Sequence, residues 1–447
     1  MRSVWIAAAA VSWVSCSDPV GPTAPDGSVA AGSDASPSDP SEPNSSDAGA
    51  APAGYCGGEL AETTFRFGLC LCEDLGFASV LSTDGYVSSL GAYTPGGAGG
   101  SVGVNGIFRS YGATDIGGSL YSASDIRPVG DHDVKGQLHC GGDVTAAGDI
   151  HVFDDAFVAG DLIGIRTRID GALHVPASSR VGVATSSREV IPEPVTVPPP
   201  CDCTTQRVDI LGVVAGSRAS NDNASVGLTP DAWTDLLQPV ELSLPPGRYF
   251  VERIRAIAPV TLKVSGPTAI FVAEDLAAAS IFEIELDGNR AELDLFVAGS
   301  ILATGNFELG TRRYPARVRT YVAGSEDIRL AGDLDLGGNL FAPNARLIAA
   351  GPLDVYGAVL ARGAVEAGVF RVHFDRDVLR AGEPCRTGQP WGPPPAEATN
   401  PPQRNCKTCL DCANQACNGS ACGPCATSAD CCAPLVCVSG SCQVLDF

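Results

Sequence analysis

Between residues 85 and 175 apolar and small residues return on a period of six. Glycine stands at Gly100, Gly106, Gly112, Gly118, Gly130, Gly136, Gly142, Gly148 and Gly160, every interval a multiple of six. Two places on come Val102, Phe108, Leu120, Ile126, Leu138, Val144, Ile150 and Leu162; four places on come Val104, Ile116, Val134, Cys140, Ala146, Val152 and Val158. Positions of equal parity face the same side of a strand, so the unit is a short strand with two inward residues and a glycine bend. Six residues are too few for a helix pair and match one face of a parallel β-solenoid. Three faces then make a coil of eighteen, the Gly118 to Gly136 interval. His132 and Thr114 take the large inward slot and are expected to mark irregular coils. The rhythm predicts an all-β fold, a parallel β-solenoid with short rungs, whose first part spans residues 55–185.

Residues 186–203, with "REVIPEPVTVPPPCDC", favour polyproline II over regular ladders and predict a connector or a wrap along the surface. A second β-solenoid is expected over 204–385. One short helix is expected near "TPDAWTDLL", where Pro then Asp precede an apolar run, and a turn at "LPPGRYF". The stretches "AIFVAEDL", "LDLFVAGSI", "RTYVAGSEDI", "NLFAPNA" and "DVYGAVL" are variants of one rung. They place Phe271, Phe296, Tyr321, Phe341 and Tyr356 at equivalent positions, spaced 25, 25, 20 and 15 residues apart. An aromatic at each rung predicts a stacked ladder rather than a carbohydrate-binding strip.

The rungs around "GQLHCGGDVTAAGDIHV" resemble the bactofilin-like, polymer-forming β-helices over residues 85 to 175. Those are cytosolic, so the resemblance implies architecture and no function. "GVFRVHFDRDVL", with "FAPNA" and "VYGAVLA", resembles an uncharacterised β-solenoid domain of bacterial exported and pilus-associated proteins, over residues 240 to 380. That family brings no assigned chemistry.

Eighteen cysteines are an unusual load for a reduced cytosolic chain and predict a disulfide framework in an exported protein. Residues 1–16, "MRSVWIAAAAVSWVSC", carry one base and a short apolar run, and resemble a bacterial lipoprotein signal. Trp13 departs from that pattern, which usually has an aliphatic residue there. The resemblance implies a lipid on Cys16 and a place at the outer membrane or cell surface. Residues 17–54 hold no aromatic, Lys or Arg and read as a disordered tether. Cys56, Cys70 and Cys72 open the first folded region, and Cys201 and Cys203 repeat the Cys-x-Cys form, so these are expected to pin the ends of a solenoid segment. Cys385 closes the second solenoid and residues 386–405 form a Pro-rich spacer.

Residues 406–447 hold Cys406, Cys409, Cys412, Cys417, Cys422, Cys425, Cys431, Cys432, Cys437 and Cys442, with too few apolar residues to fold without staples. The spacing from Cys425 to Cys442 resembles small cystine-knot and Dickkopf-type modules, with the connectivity left open. A zinc cluster from Cys406, Cys409 and Cys412 is the competing reading. With Cys16 lipidated an odd number remains, so one thiol stays free; Cys140, on an inward slot, is the candidate.

The formal net charge is −22, with Lys135, Lys263 and Lys407 the only lysines. No basic stripe is present for nucleic acid, and a solvated acidic surface is expected. The histidines are His132, His139, His151, His174 and His373. "DHD" at 131–133 reads as an acidic turn before it reads as a metal site. His139 and His151 both face outward by parity, and His373 with Asp375 is expected to cap the last strand. No nucleophile–base constellation, phosphate loop or paired-acid motif stands out, so no catalytic residue, metal or cofactor is predicted.

Three classes of function compete. The first is a surface-anchored structural or adhesive solenoid, held to the membrane by lipid at one end, presenting a cysteine-rich tip at the other, and binding a surface or extracellular protein or polysaccharide. The second is a polysaccharide-acting β-helix lyase or hydrolase, which needs charged residues converging on one coil face. The third is a hexapeptide acyltransferase, which export away from acyl-CoA argues against. Tether, rungs and tail fit the first. The solenoid ends are expected to be capped and the protein a monomer.

Overall fold

The computed structural model describes residues 58–383, except 78, 204–207, 305–306, 331–333, 350 and 367, together with four short strands between residues 416 and 444. The glycine-punctuated rungs wind into a three-faced parallel β-solenoid. In its first part successive coils are one eighteen-residue period apart, with Thr114 beside His132, Leu120 beside Leu138 and Ile126 beside Val144. Inward Val102, Val104, Phe108, Ile116, Leu120 and their successors fill the interior. At one corner an aspartate oxygen takes the next coil's amide: Asp125 Oδ1 accepts from Asp143 N at 2.9 Å, and Asp143 Oδ1 from Asp161 N at 2.8 Å. A Cβ on Gly142 or Gly160 would lie 2.2 Å from those same oxygens, which is why glycine recurs there.

In the second part Phe250, Phe271, Phe296, Tyr321 and Phe341 pair rung by rung. The column continues to Leu360, not to Tyr356, which lies opposite His373 on another face. The coil is longer there than the fifteen-residue spacing suggested, and Tyr356 precedes a corner at Gly357, whose φ of 136° suits glycine alone.

The two parts form one stack, assembled out of chain order. The last coil of the second part abuts the first coil of the first: Leu360 pairs with Cys70 and His373 with Asp84. A single outward column therefore runs Phe341, Leu360, Cys70, Gly103, Tyr121, His139, Phe157, His174, Ile191. At about 4.8 Å per rung the whole stack is about 60 Å long.

The chain enters mid-stack through α1 (Gly58–Thr64) and winds to one end at Pro192. Residues 193–200 bring it back. Six rung steps separate Ile191 from Cys70, about 29 Å at strand spacing, and nine residues of polyproline cover about 28 Å. The proline-rich segment is thus an extended strap along the outside of the coils. Its end is fixed by two disulfides, Cys70–Cys201 and Cys72–Cys203. Asn105 brackets the same point, donating to Cys201 O at 2.9 Å and accepting from Cys201 N at 2.8 Å. Gly103 leaves room for the first bridge, since a Cβ there would sit 2.9 Å from Cys70 Sγ.

Beyond the strap, α2 (Ile210–Ser217) crosses the aromatic ladder, with Asp209 accepting from Gly212 N at 2.9 Å as its N-cap. Ile210 and Val214 join Phe250, Phe271 and Phe296 in an apolar cluster outside the coils. A short α3 (Asn223–Val226) then leads to the far end, where winding restarts.

The connector is shorter than its composition implied: Glu189–Pro192 forms the last rung, against Ala172–Val175. Pro192 fits because no further rung needs its missing N–H. "TPDAWTDLL" is a turn, not a helix. Its Pro230 and Trp233 carbonyls accept Glu252 N at 2.7 Å and Arg255 N at 2.9 Å, which commits the backbone to the neighbouring coil. Trp233, 3% exposed, plugs the interior there, and Asn223 accepts from Phe250 N at 2.9 Å and donates to Phe250 O at 2.6 Å. This end is capped. Among the described residues nothing caps the other: inward Val181 and Val190 are 37% and 50% exposed, and Val183, in the turn between them, is wholly so.

The chain leaves the stack beside its entry. Glu62 Oε1 accepts from Gly382 N at 2.9 Å, and a Cβ on Gly58 would lie 1.9 Å from Ala381 O. Cys16, Cys56 and Cys385 and the side chains of the ten tail cysteines lie outside the described residues. In the tail the backbone of Ala416–Asn418 pairs antiparallel with Ala421–Gly423, and Leu435–Val438 with Ser441–Val444.

Candidate functional site

A group of buried polar side chains, Thr83, Ser88, His373, Asp375 and Asp377, gathers at the seam where the two parts meet. Strand pairing brings Asp84 of Leu81–Tyr86 beside His373 of Phe370–Asp375. His373 Nδ1 lies 2.8 Å from Asp84 Oδ1, Tyr93 OH donates to Asp84 Oδ2 at 2.7 Å, and Gly96 N donates to the same oxygen at 2.9 Å. Burial works to raise the Asp84 carboxyl, but the bonds from His373, Gly96 and Tyr93 together hold it below the usual range. Burial and the Asp84 bond push the Tyr93 phenol up. Tyr93 packs 4.2 Å from the His373 ring and edge-on to Tyr86 and Tyr356 at 5.3 and 5.4 Å.

Beside this cluster Asp375 and Asp377 are wholly buried. Asp375 accepts from Ser88 N at 3.0 Å and Ala316 N at 3.1 Å; Asp377 accepts from Ser89 N at 2.6 Å and from the Ser88 and Ser89 hydroxyls at 3.2 and 3.0 Å. Burial, reinforced by the Asp377 charge, pushes Asp375 up to about 6. Asp375, the last residue of Phe370–Asp375, accepts from Asp377 N at 3.2 Å as the N-cap of the short turn Arg376–Arg380, and with His373 it does more than close the strand. The two residues fasten the glycine-rich loop after Tyr86, and with it the first part, to the second. Both oxygens of Asp84 are engaged and His373 is 7% exposed, so this constellation is arranged as a joint between the two parts.

The remaining histidines disperse. His132 points into the solenoid, 4% exposed, with Nδ1 2.5 Å from Thr114 Oγ1 and Nε2 buried without a partner. Burial pushes it down to about 4. "DHD" is therefore a strand edge (His132–Val134) rather than an acidic turn, and alternation sends histidine inward while Asp133 turns out to Lys135 at 2.8 Å. His139 is sandwiched between Tyr121 and Phe157, ring centroids 4.4 and 4.7 Å away and planes within 6°, and His174 follows Phe157 at 4.3 Å. His151 is on another face, 2.9 Å from Asp170 and stacked on Phe153, so it does not line up with His139.

The second ladder, with Phe271, Phe296 and Tyr321 at 5.3 and 4.8 Å, lies buried under α1 and α2. In both ladders the rings present their faces to one another, whereas a sugar strip needs a face turned outward. Cys140 is a free, buried thiol, pushed up to about 12 by burial. Among the described residues no three His, Cys, Asp or Glu side chains converge as a metal site, and no helix is long and apolar enough to cross a membrane.

Sequence reasoning missed Asp84, Tyr93 and Asp377, whose contacts across the seam, Asp84 and Tyr93 with His373 and Asp377 with Ser88 and Ser89, join positions almost the whole folded chain apart. It also missed a buried ion pair: Arg319, 1% exposed, donates to Asp294 at 2.7 and 2.8 Å and to Glu292 at 2.8 Å. That pair was legible in principle, because Asp294 and Arg319 occupy the same register as Phe296 and Tyr321.

Fold and site define a class, a parallel β-solenoid folded back on itself and stapled through a strap. A family model described as a domain of unknown function (DUF7305) matches residues 207–380, which is the second part of the stack from α2 to the seam. No curated protein and no solved structure matches the chain.

Proposed function

We propose that this chain is an exported, cell-surface structural or binding protein without catalytic activity, anchored in the bacterial outer membrane through a lipid on Cys16. The observation that carries this reading is the pair of bridges, Cys70–Cys201 and Cys72–Cys203, holding the strap that lets the stack close. Such bonds persist in oxidising compartments. The signal-like residues 1–16, the tether-like 17–54 and the cysteine-rich 406–447 support the same placement. The ligand is a surface or extracellular protein or polysaccharide; the charge of −22 disfavours nucleic acid.

The arrangement differs from a rod with an anchor at one end and a tip at the other. Entry and exit meet at mid-stack, where Glu62 holds Gly382, so the solenoid extends to either side of a common root. Its two arms, rather than its length as a spacer, are what it offers to a partner.

The test is the intact mass of the protein extracted from its native membrane fraction, with and without reduction. A diacyl or triacyl mass on Cys16, with nearly all remaining thiols oxidised, is expected. Absence of lipid and many free thiols would overturn the reading. Depolymerisation of a polysaccharide by the purified chain would replace it with a lyase or hydrolase.

A further inference from the structure

The two ends of the stack differ, and the difference selects a partner. At one end Trp233 fills the interior and the turn after Pro230 covers the coil edge. At the other, the coil of residues 180–192 turns Val181 and Val190 inward, on the register of Leu162 and Leu173, with nothing among the described residues stacked above them, and Val183 stands wholly exposed in the turn beside them. We propose that this open end docks against the same end of a second copy, giving a closed two-fold dimer rather than the monomer expected from sequence.

Four observations carry this. The seam within the chain already shows two coil ends completing each other by stacking, Leu81 on Phe370 and Leu69 on Val359. Head-to-tail stacking is blocked by the Trp233 plug, so open-on-open is the contact that closes, and it stops at two. The outermost coil is electrically balanced, with Arg180 and Arg188 against Glu189 and Glu193, in a chain of net charge −22. Repulsion between copies is therefore least at this end, and the neighbouring, oppositely charged Arg188 and Glu189 can each meet the other's image across a two-fold axis. Finally, its edge strands are short, Thr185–Ser186 and Glu189–Pro192, the second ending in proline. They favour a contact made by valine side chains over an extendable ladder. One coil end is small beside a standard interface, so dissociation in the micromolar range or above is expected. The inference does not depend on the lipid anchor.

Sedimentation equilibrium of the full chain in density-matched detergent, over a concentration series up to about 300 µM, tests it. The wild-type mass is expected to rise from one chain to two and stop. V183D should remain at one chain throughout; Val183 is fully exposed, so the substitution leaves the coil's packing intact. L237D, at the plugged end and 58% exposed, should behave as wild type. A wild-type chain monomeric at every concentration, dimers undiminished in V183D, or assemblies that grow beyond two would each overturn the proposal.

Discussion

At the scale of single residues, His132 shows what the interior of the solenoid demands. Its ring is sealed among apolar rungs with Thr114 as the one partner, and it titrates near 4 where an unfolded chain titrates near 6.5. Between those values the unfolded chain binds a proton that the fold refuses. Stability is thus fully present above pH 6.5 and is lost as pH falls toward 4, by up to about 3 kcal/mol. Burial pushes His139 down to about 4 as well, in the same direction. Asp375, near 6 when folded against 3.8, acts oppositely over about the same window. The diagnostic quantity is therefore a difference: chemical denaturation at pH 7 and pH 4.5 should show H132V losing about 2–3 kcal/mol less than wild type. An equal loss in both would mean His132 is not sealed as described. The contact between Asp84 and His373 was beyond the reach of sequence, because it joins strands 289 positions apart and no local pattern reports on it.

At the scale of elements, the rhythm of six was legible because the corners of the first part leave no room for a Cβ, which would meet an aspartate oxygen at Gly142 and Gly160, the Ser119 hydroxyl at Gly136 and the Gly112 carbonyl at Gly130. In the second part the coils change length, so only the aromatic ladder survived as a signal, and counting fifteen residues from Phe341 put Tyr356 in the slot that Leu360 fills. The helix expected at "TPDAWTDLL" failed because hydrogen bonds to the adjacent coil outrank a local start signal. What this stretch supplies is the plug. W233A should cost about 3–5 kcal/mol, and hydrogen exchange should show protection lost first over Val240–Leu244. The strap makes a sharper prediction. Each bridge closes a loop of sequence separation 131, worth about 5 kcal/mol in the chain-entropy account. The two loops are nearly the same loop, however. C70S with C201S should therefore cost little, C72S with C203S likewise, and all four together about 5 kcal/mol, as read from urea midpoints; additive losses would contradict a shared strap.

At the scale of the whole molecule, sequence showed two solenoid segments and a proline-rich break, and could not show that the later segment comes first in the stack. Parallel pairing is non-local, and every coil presents much the same edge, so nothing in a rung names its neighbour. The consequence can be tested by rewiring. A permuted chain that starts at Val197, joins Glu383 to Gly58 through a few residues and ends at Thr196 should reach the same fold, because entry and exit already touch and the new termini fall in the strap. Its circular dichroism and thermal midpoint should match wild type within a few degrees. The most direct measurement on the folded-back stack is the disulfide map of the unreduced protein by peptide mass spectrometry. Peptides joining Cys70 to Cys201 and Cys72 to Cys203 are expected, since only the returning strap brings those residues together. Bridges within each Cys-x-Cys motif, or free thiols at these four positions, would contradict both the strap and the oxidising compartment inferred from it.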